Sequence, residues 1–254
     1  MRLRELTGFL DRYLDLKAFP DDVSNNGLQV EAGEEVTQVV VGVDACMALF
    51  EAARERGAEL VIAHHGISWG AEPRRMTGVP GARLASLFRH GVSLYAAHLP
   101  LDAHPVVGNN AQLADLMDLR ERQSCAHYHG ADIGFAGVLP EELTAAELAA
   151  KLDARFTWTK TATRVWNGGR RVRRAAVISG GGDLCFEAAA EMGCEAVVTG
   201  EFTHQMYHEM KESGVAVIAL GHYVSETVGV RAVLALLKER CGIDGAFVDL
   251  PTEL

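Results

Sequence analysis

Two histidines stand side by side in VIAHHGISWG (61–70), at the end of a short apolar run. Neighbours on a strand point to opposite faces. His64 and His65 can therefore serve one site only where the strand gives way to a loop, which Gly66 supplies. There the two rings can splay toward two different points, which suits two metal ions better than one. Two further stretches carry metal-competent side chains. HLPLDAHPVVGNN (98–110) holds His98, Asp102 and His104, and GHYVSETVG (221–229) holds His222 and Glu226. If the last helix begins at His222, that ring and Glu226 are four residues apart and share a face, so the carboxylate could bridge ions held by the imidazoles. Neutral imidazoles with carboxylates suit zinc, iron, manganese or nickel, and the set lacks the oxygen richness that calcium demands. On residue types alone, a metal centre and a group of hydrogen-bonded core histidines are both open.

Other spacings compete. THQMYHE places His204 and His208 four apart, but a zinc-protease helix needs Glu directly after the first His, and Gln205 stands there. His127 and His129 in CAHYHG would share one strand face. SGGGD (179–183) lacks the Lys-Ser/Thr of a phosphate-binding loop and reads as a tight turn.

The elements that must position these groups alternate. VTQVVVGVDA is a β-branched strand followed by the helical CMALFEAARERGAE, then LVIAHH as a strand, PGARLASLFRHG as a helix ending at Gly91, and VSLYAAHLPLD as a strand running into a loop. The pattern restarts after CAHYHGADIGFAGVLP: TAAELAAKLDARF is a helix opened by a Thr cap, RRAAVISGGGD a strand, LCFEAAAEMG a helix, and two more strand–helix pairs close the chain. Such alternation predicts an α/β layered fold with substantially parallel strands. It also predicts two lobes of similar element order, 1–125 carrying His64, His65 and Asp102, and 126–254 returning His222 and Glu226 by its last strand, loop and helix. At 254 residues and 48% hydrophobic composition the chain can bury a large core. Its longest apolar runs, QVVVGV and VAVIAL, have strand length and fall short of a membrane span. MRLRELTGFLDRYLDL reads as an amphipathic first helix. Five cysteines without a CxxC pair read as reduced thiols, as in a cytoplasm. A net charge of −10 argues against nucleic acid as a partner, and the basic GGRRVRR (168–174) reads as a solvated turn before a strand.

In chain order, NNGLQV, AHHGISWG, HLPLDAHPVVGNN, GFAGVLP, SGGGD, VTGEFTHQ and GHYVSE form a succession that resembles the NIF-three-like family of dinuclear metal-centre hexamers, the GTP cyclohydrolase I type 2 homologues. The resemblance runs from about residue 5 to residue 250. It implies that His64, His65, Asp102, His222 and Glu226 hold two divalent ions per chain, with the carboxylates bridging. It further implies two interlinked α/β lobes with the metal site in the cleft between them, and a toroidal homohexamer. The implied activity is hydrolytic. In its cyclohydrolase form an activated water attacks C8 of the guanine ring of GTP, opening the ring and releasing formate. His98 or Glu201 would then act as general acid or base, and Trp69 and His204 would line the substrate pocket. Two departures stand out: Gly66 follows the paired histidines where the family usually has proline, and Gln205 follows His204 where the family often doubles the histidine. Arg74 and Arg75 are the nearest cations for a triphosphate, and so small a cationic endowment leaves a phosphoester or an amide-like substrate open. The alternative is a non-enzymatic metal-binding scaffold or regulator acting through protein partners.

Overall fold

The computed structural model describes residues 1–70, 75–182 and 185–252. In chain order its elements are α1 (Leu3–Tyr13), β1 (Gly27–Val30), β2 (Gln38–Asp44), α2 (Met47–Arg56), β3 (Leu60–His65), α3 (Gly78–His90) and β4 (Ser93–Ala96). There follow α4 (Leu99–Ala103), α5 (Asn109–Leu116), β5 (Arg120–Tyr128), β6 (Ala131–Thr144), α6 (Ala145–Arg155), β7 (Arg164–Trp166) and β8 (Arg171–Gly181). The chain ends with α7 (Cys185–Glu191), β9 (Ala196–Glu201), α8 (Tyr207–Ser213), β10 (Ala216–Ala219), α9 (His222–Cys241) and β11 (Asp244–Phe247). The fold is mixed α/β with two mixed sheets. Among the described residues no helix is long and apolar enough to cross a membrane.

Two compact units emerge, one of Met1–Leu101 with Val230–Leu250, the other of Asp102–Gly229 with Pro251–Leu254. The alternating pattern predicts a single break after residue 125; the units instead divide at 101/102 and again at 229/230. Asp102 accordingly belongs to the second unit, and α9 contributes residues to both.

The first unit is built on a five-stranded sheet in the order β1-β4-β3-β2-β11. β2, β3 and β4 run parallel, joined through α2 and α3, while β1 pairs antiparallel with β4 and β11 parallel with β2. A parallel strand covered on both faces must be apolar throughout rather than at alternate positions. Val39, Val40, Val41 and Val43 meet that demand, each at most 2% exposed. Leu49, Phe50 and Ala53 of α2 and Leu87 of α3 close over the sheet.

The second unit holds a six-stranded sheet in the order β5-β6-β8-β9-β10-β7. Here β8, β9 and β10 are the parallel set, joined through α7 and α8, and β7 pairs antiparallel with β10. The run β7-β10-β9-β8 repeats the connectivity and strand senses of β1-β4-β3-β2. β5 and β6 form an antiparallel hairpin beside β8. α6 opens with a capping box in which Thr144 Oγ1 accepts from the Glu147 N–H and the Glu147 carboxylate accepts from the Thr144 N–H, an arrangement worth about 1 kcal/mol.

Local differences from the pattern are instructive. LPLDA forms the short helix α4 rather than a loop. Pro100 sits in its first turn, where a missing N–H costs nothing. His129 lies in the β5–β6 turn with φ of 46°, so it does not share a strand face with His127, whose Nδ1 is bound to Asp132 Oδ1 at 3.0 Å.

Candidate metal centre

In the first unit three histidine rings converge at strand ends. β3 lies between β4 and β2 and ends on His65. Each of its last two residues is tied to a different neighbour: His64 Nδ1–H donates to Ala97 O, just past β4, at 2.9 Å, and His65 Nδ1 bonds to Asp44 Oδ1, the last residue of β2, at 2.9 Å. His98, two residues past β4, is anchored through Nδ1 to Asp22 Oδ1 at 2.9 Å. With Nδ1 engaged, Nε2 is the nitrogen each ring has to offer a ligand. The ring centroids of His64 and His65 lie 4.6 Å apart, and that of His98 lies 5.2 and 5.7 Å from them. One ligand atom from each of the three lies within 4.8 Å of the others. The loop after β3 is held from below. Gln29 Oε1 accepts the Ile67 and Ser68 N–H groups, and its amide lies so close over Gly66 that a Cβ there would fall 2.3 Å from Oε1. That contact accounts for a glycine after the paired histidines. Trp69 donates Nε1–H to Gly66 O at 2.9 Å and sets its ring edge-on to His98.

In the second unit the acidic partners are equally constrained. Asp102 Oδ1 accepts from Asn109 Nδ2 and from Ser179 Oγ, both at 2.9 Å. Asn109 is fully buried and uses its own Oδ1 to accept the Gly229 N–H. α9 begins at His222, which puts Glu226 one turn on, and His222 Nε2 lies 3.1 Å from Glu226 Oε1. The other ring nitrogen, Nδ1, is bound to Glu201 Oε1 at the end of β9, at 2.6 Å. Gly180, next to the Ser179 that holds Asp102, donates its N–H to Ser225 Oγ at 3.0 Å, and a Cβ there would stand 2.6 Å from Glu226 Oε1. Carboxylate oxygens of Asp102 and Glu226, only 6% and 3% exposed, lie within 4.8 Å of each other.

The electrostatics follow from these partners. The hydrogen bond that the His222 ring donates to Glu226 raises the imidazole to a pKa of about 9 against the opposing effect of burial, with Glu201 adding to the rise. Burial alone would push the Asp22 carboxyl up, yet hydrogen bonds from His98, Asn26 and the Ser24 N–H bring it down to about 2, so it stays an anion beneath His98. Histidines fixed at one nitrogen by a carboxylate or carbonyl are the arrangement that orients imidazole toward a metal. Clustered His, Asp and Glu side chains able to hold a metal ion are thus present.

The Duf34/NIF3 (NGG1p interacting factor 3) family model matches residues 1–252. The chain belongs to the Duf34/NIF3 family. Among its relatives, a GTP cyclohydrolase 1 type 2 homolog of Archaeoglobus fulgidus is 41% identical over the full length of both chains. One of Pyrococcus horikoshii is 42% identical over 98% of each. The solved structure of protein ybgI, of unknown function, matches with a TM-score of 0.90 at 36% identity over the whole of both chains. That of a Thermus thermophilus protein matches with a TM-score of 0.86 at 37% identity, again over the whole of both chains.

Within this NIF3 chain the residues singled out by type fall into distinct roles. His64, His65 and His98 form one cluster, and His222 and Glu226 pair as the helical spacing requires. Glu201 is engaged in orienting His222. His204 is exposed, on a single 3₁₀ turn at His204–Met206. His104 serves its own loop, where Nδ1 accepts from the Val106 and Val107 N–H groups. Arg74 lies outside the described residues, and Arg75 is exposed. GISWG (66–70) spells G-x-S-x-G, but Ser68 sits in a loop with its hydroxyl accepting from Asn25 Nδ2, not on the strand-to-helix elbow that a serine nucleophile needs. Asp22, Asp44, Asn109 and Ser179 escape a reading by residue type. Asp44 is discoverable, since it closes the strand that pairs in register with His65.

Proposed function

We propose that this NIF3 protein is a dinuclear-metal-dependent hydrolase in which His64, His65, Asp102, His222 and Glu226 hold two divalent ions. One observation carries the reading: His64, His65, His98 and His222 are each anchored through Nδ1 to a carbonyl or carboxylate, the contact that orients an imidazole toward a metal. The donor set of imidazole nitrogen and carboxylate oxygen fits zinc, iron, manganese or nickel. Such ions supply an activated water at neutral pH and a counter-charge for a developing oxyanion. The protein's own residues do the rest. Asp44 and the Ala97 carbonyl fix the ring planes of His65 and His64, and Glu201 fixes that of His222. Asn109 and Ser179 hold the Asp102 carboxylate in one orientation. His98, with Nδ1 committed to Asp22, moves protons at Nε2, while Glu201 orients rather than transfers. Trp69 supplies an apolar ring beside His65 and His98, 6.2 and 5.2 Å away between centroids, against which a planar substrate can pack; His204 stands as a further candidate for the pocket wall.

The relatives' name makes GTP the first substrate to try, with phosphoesters second. The family resemblance also supports a toroidal homohexamer, which light scattering on the purified chain would measure. The functional test is elemental analysis of protein purified without chelator, followed by hydrolysis assays on GTP and generic phosphoesters. About two transition-metal ions per chain, lost in Asp102→Ala, with turnover above a His64→Ala/Glu226→Ala control, is the expected result. Metal without turnover across the panel would move the assignment to a metal-binding scaffold. No metal after reconstitution with zinc, iron and manganese would remove both.

A further inference from the structure

Away from the metal-competent side chains, the second unit buries three thiols whose chemistry the hydrolytic reading leaves unused. Cys125 lies on β5 and Cys185 opens α7; their sulfurs stand 4.0 Å apart, and the residues are 5% and 0% exposed. Cys194, 4% exposed, precedes β9. We infer that Cys125 and Cys185 form a redox-active dithiol that a hydroperoxide converts to a disulfide, joining strand β5 to helix α7.

The geometry supports closure. A disulfide needs an S–S distance of about 2.05 Å, so the sulfurs must approach by about 2 Å, which side-chain rotation can provide. Gly134 pairs with Cys125 across the hairpin and brings no side chain against the thiol; a Cβ there would crowd the Cys125 sulfur at 3.2 Å. β5 is the outermost strand of its sheet, so only one of its edges is paired within that sheet. It is already irregular beside the thiol, with Ala126 at φ of 60°. The electrostatics assign the order of events. The hydrogen bond between the two sulfurs holds the Cys125 thiol below its ordinary pKa and, together with burial, raises that of Cys185. Burial pushes Cys194 up to about 11, so it is the poorer nucleophile.

Each step balances. The Cys125 thiolate attacks the outer oxygen of the hydroperoxide and breaks the O–O bond, giving a sulfenic acid and an alkoxide that takes up the proton the thiol released. The Cys185 sulfur then attacks the sulfenic sulfur and expels hydroxide, which leaves as water with the Cys185 proton. Two thiols are oxidised by two electrons, and the hydroperoxide is reduced to an alcohol and water.

The experiment uses the full-length protein as purified. Hydrogen peroxide treatment is followed by alkylation of remaining thiols under denaturing conditions, digestion without reductant and mass spectrometry. The expected product is a Cys125–Cys185 peptide pair, two hydrogens lighter than the separate thiol peptides and released by dithiothreitol. The free-thiol titre then falls by two from the five cysteines of the chain. In Cys185→Ala the reaction should stop at a Cys125 sulfenic acid captured by dimedone, and Cys125→Ala should give no disulfide. Because the primary readout is on the unaltered chain, a variant that folds poorly does not rescue the inference. Recovery of both residues as alkylated thiols, or a bridge from Cys185 to Cys194 instead, overturns it. Neither outcome bears on the metal reading, which is measured separately by metal content.

Discussion

Gly180→Ala is the substitution that most directly tests how the second unit holds its acidic residues. Gly180 has φ of +62°, and a Cβ there would lie 2.6 Å from Glu226 Oε1 and 3.3 Å from His222 Nε2. Two effects add. Holding alanine in the left-handed region costs about 1 kcal/mol. Ordinary contact begins near 3.4 Å, so the Glu226 carboxylate must retreat by about 0.8 Å, and overpacking of that size costs a further 1–3 kcal/mol, roughly. Gly57 provides the control. It is also left-handed, at φ +68°, and a Cβ there meets nothing within 4 Å, so Gly57→Ala isolates the backbone cost at about 1 kcal/mol. Urea denaturation of the three proteins should therefore place Gly180→Ala below Gly57→Ala by about 1–3 kcal/mol. Calorimetric titration with zinc or manganese should show Gly57→Ala binding like the unaltered chain. Gly180→Ala should bind about 10- to 100-fold more weakly, the usual penalty for disturbing what orients a ligand. A Gly180→Ala protein as stable as Gly57→Ala and unchanged in metal affinity would refute both the contact and the role given to Glu226.

Two further perturbations address the supporting structure. Asn109→Ala leaves the buried Gly229 N–H without its acceptor and Asp102 Oδ1 without one of its donors; a loss of about 2–4 kcal/mol is expected in urea denaturation, and a loss below about 1 kcal/mol would mean that the site relaxes around the gap. Glu59 accepts the Thr37 and Gln38 N–H groups and the Thr37 hydroxyl. Burial pushes its carboxyl up, but those bonds outweigh it and hold the pKa below its ordinary value. A depressed carboxyl contributes stability that is complete above its unfolded pKa of about 4.3 and is lost as the pH falls through the folded value. Glu59→Gln should cost about 0.5–1 kcal/mol at pH 7 after solvent screening, read as a lower Tm. That gap should narrow in scans below about pH 4; a gap independent of pH would contradict the charge-based account.

The legible part of this protein is its periodicity and its reactive residue types. Alternating strands and helices are visible because a buried parallel strand writes itself as an apolar run such as Val39–Val43. Short edge strands are not: β1 and β7 have four and three residues and only partial burial, too little for a periodic signal. α4 reads as a loop because LPLDA is only five residues long and carries a proline, too little for a helical period to show. The pairing of His222 with Glu226 follows from helical spacing. The groups that hold the histidines do not. Asp22, in the loop ahead of β1, reaches His98 across 76 residues, and Asp44 meets His65 across 21 through the register of β2 with β3; composition records neither.

The same contrast explains why the repetition of the two units is hidden. β1-β4-β3-β2 and β7-β10-β9-β8 share order, sense and helical connections, and after the third parallel strand of each comes His-x-x-x-acid: His98 and Asp102 follow β4, His222 and Glu226 follow β10. Each of these histidines is anchored at Nδ1 by a carboxylate, but from unrelated places: Asp22 ahead of β1 in one case, Glu201 at the end of β9 in the other. The end of β3, equivalent to that of β9, carries two rings instead of a carboxylate. A topology constrains where strand ends fall, whereas the residues placed there are free to specialise. The connectivity therefore repeats while the sequence does not, and the chemistry has been divided: rings at the end of β3, and an orienting carboxylate at the end of β9.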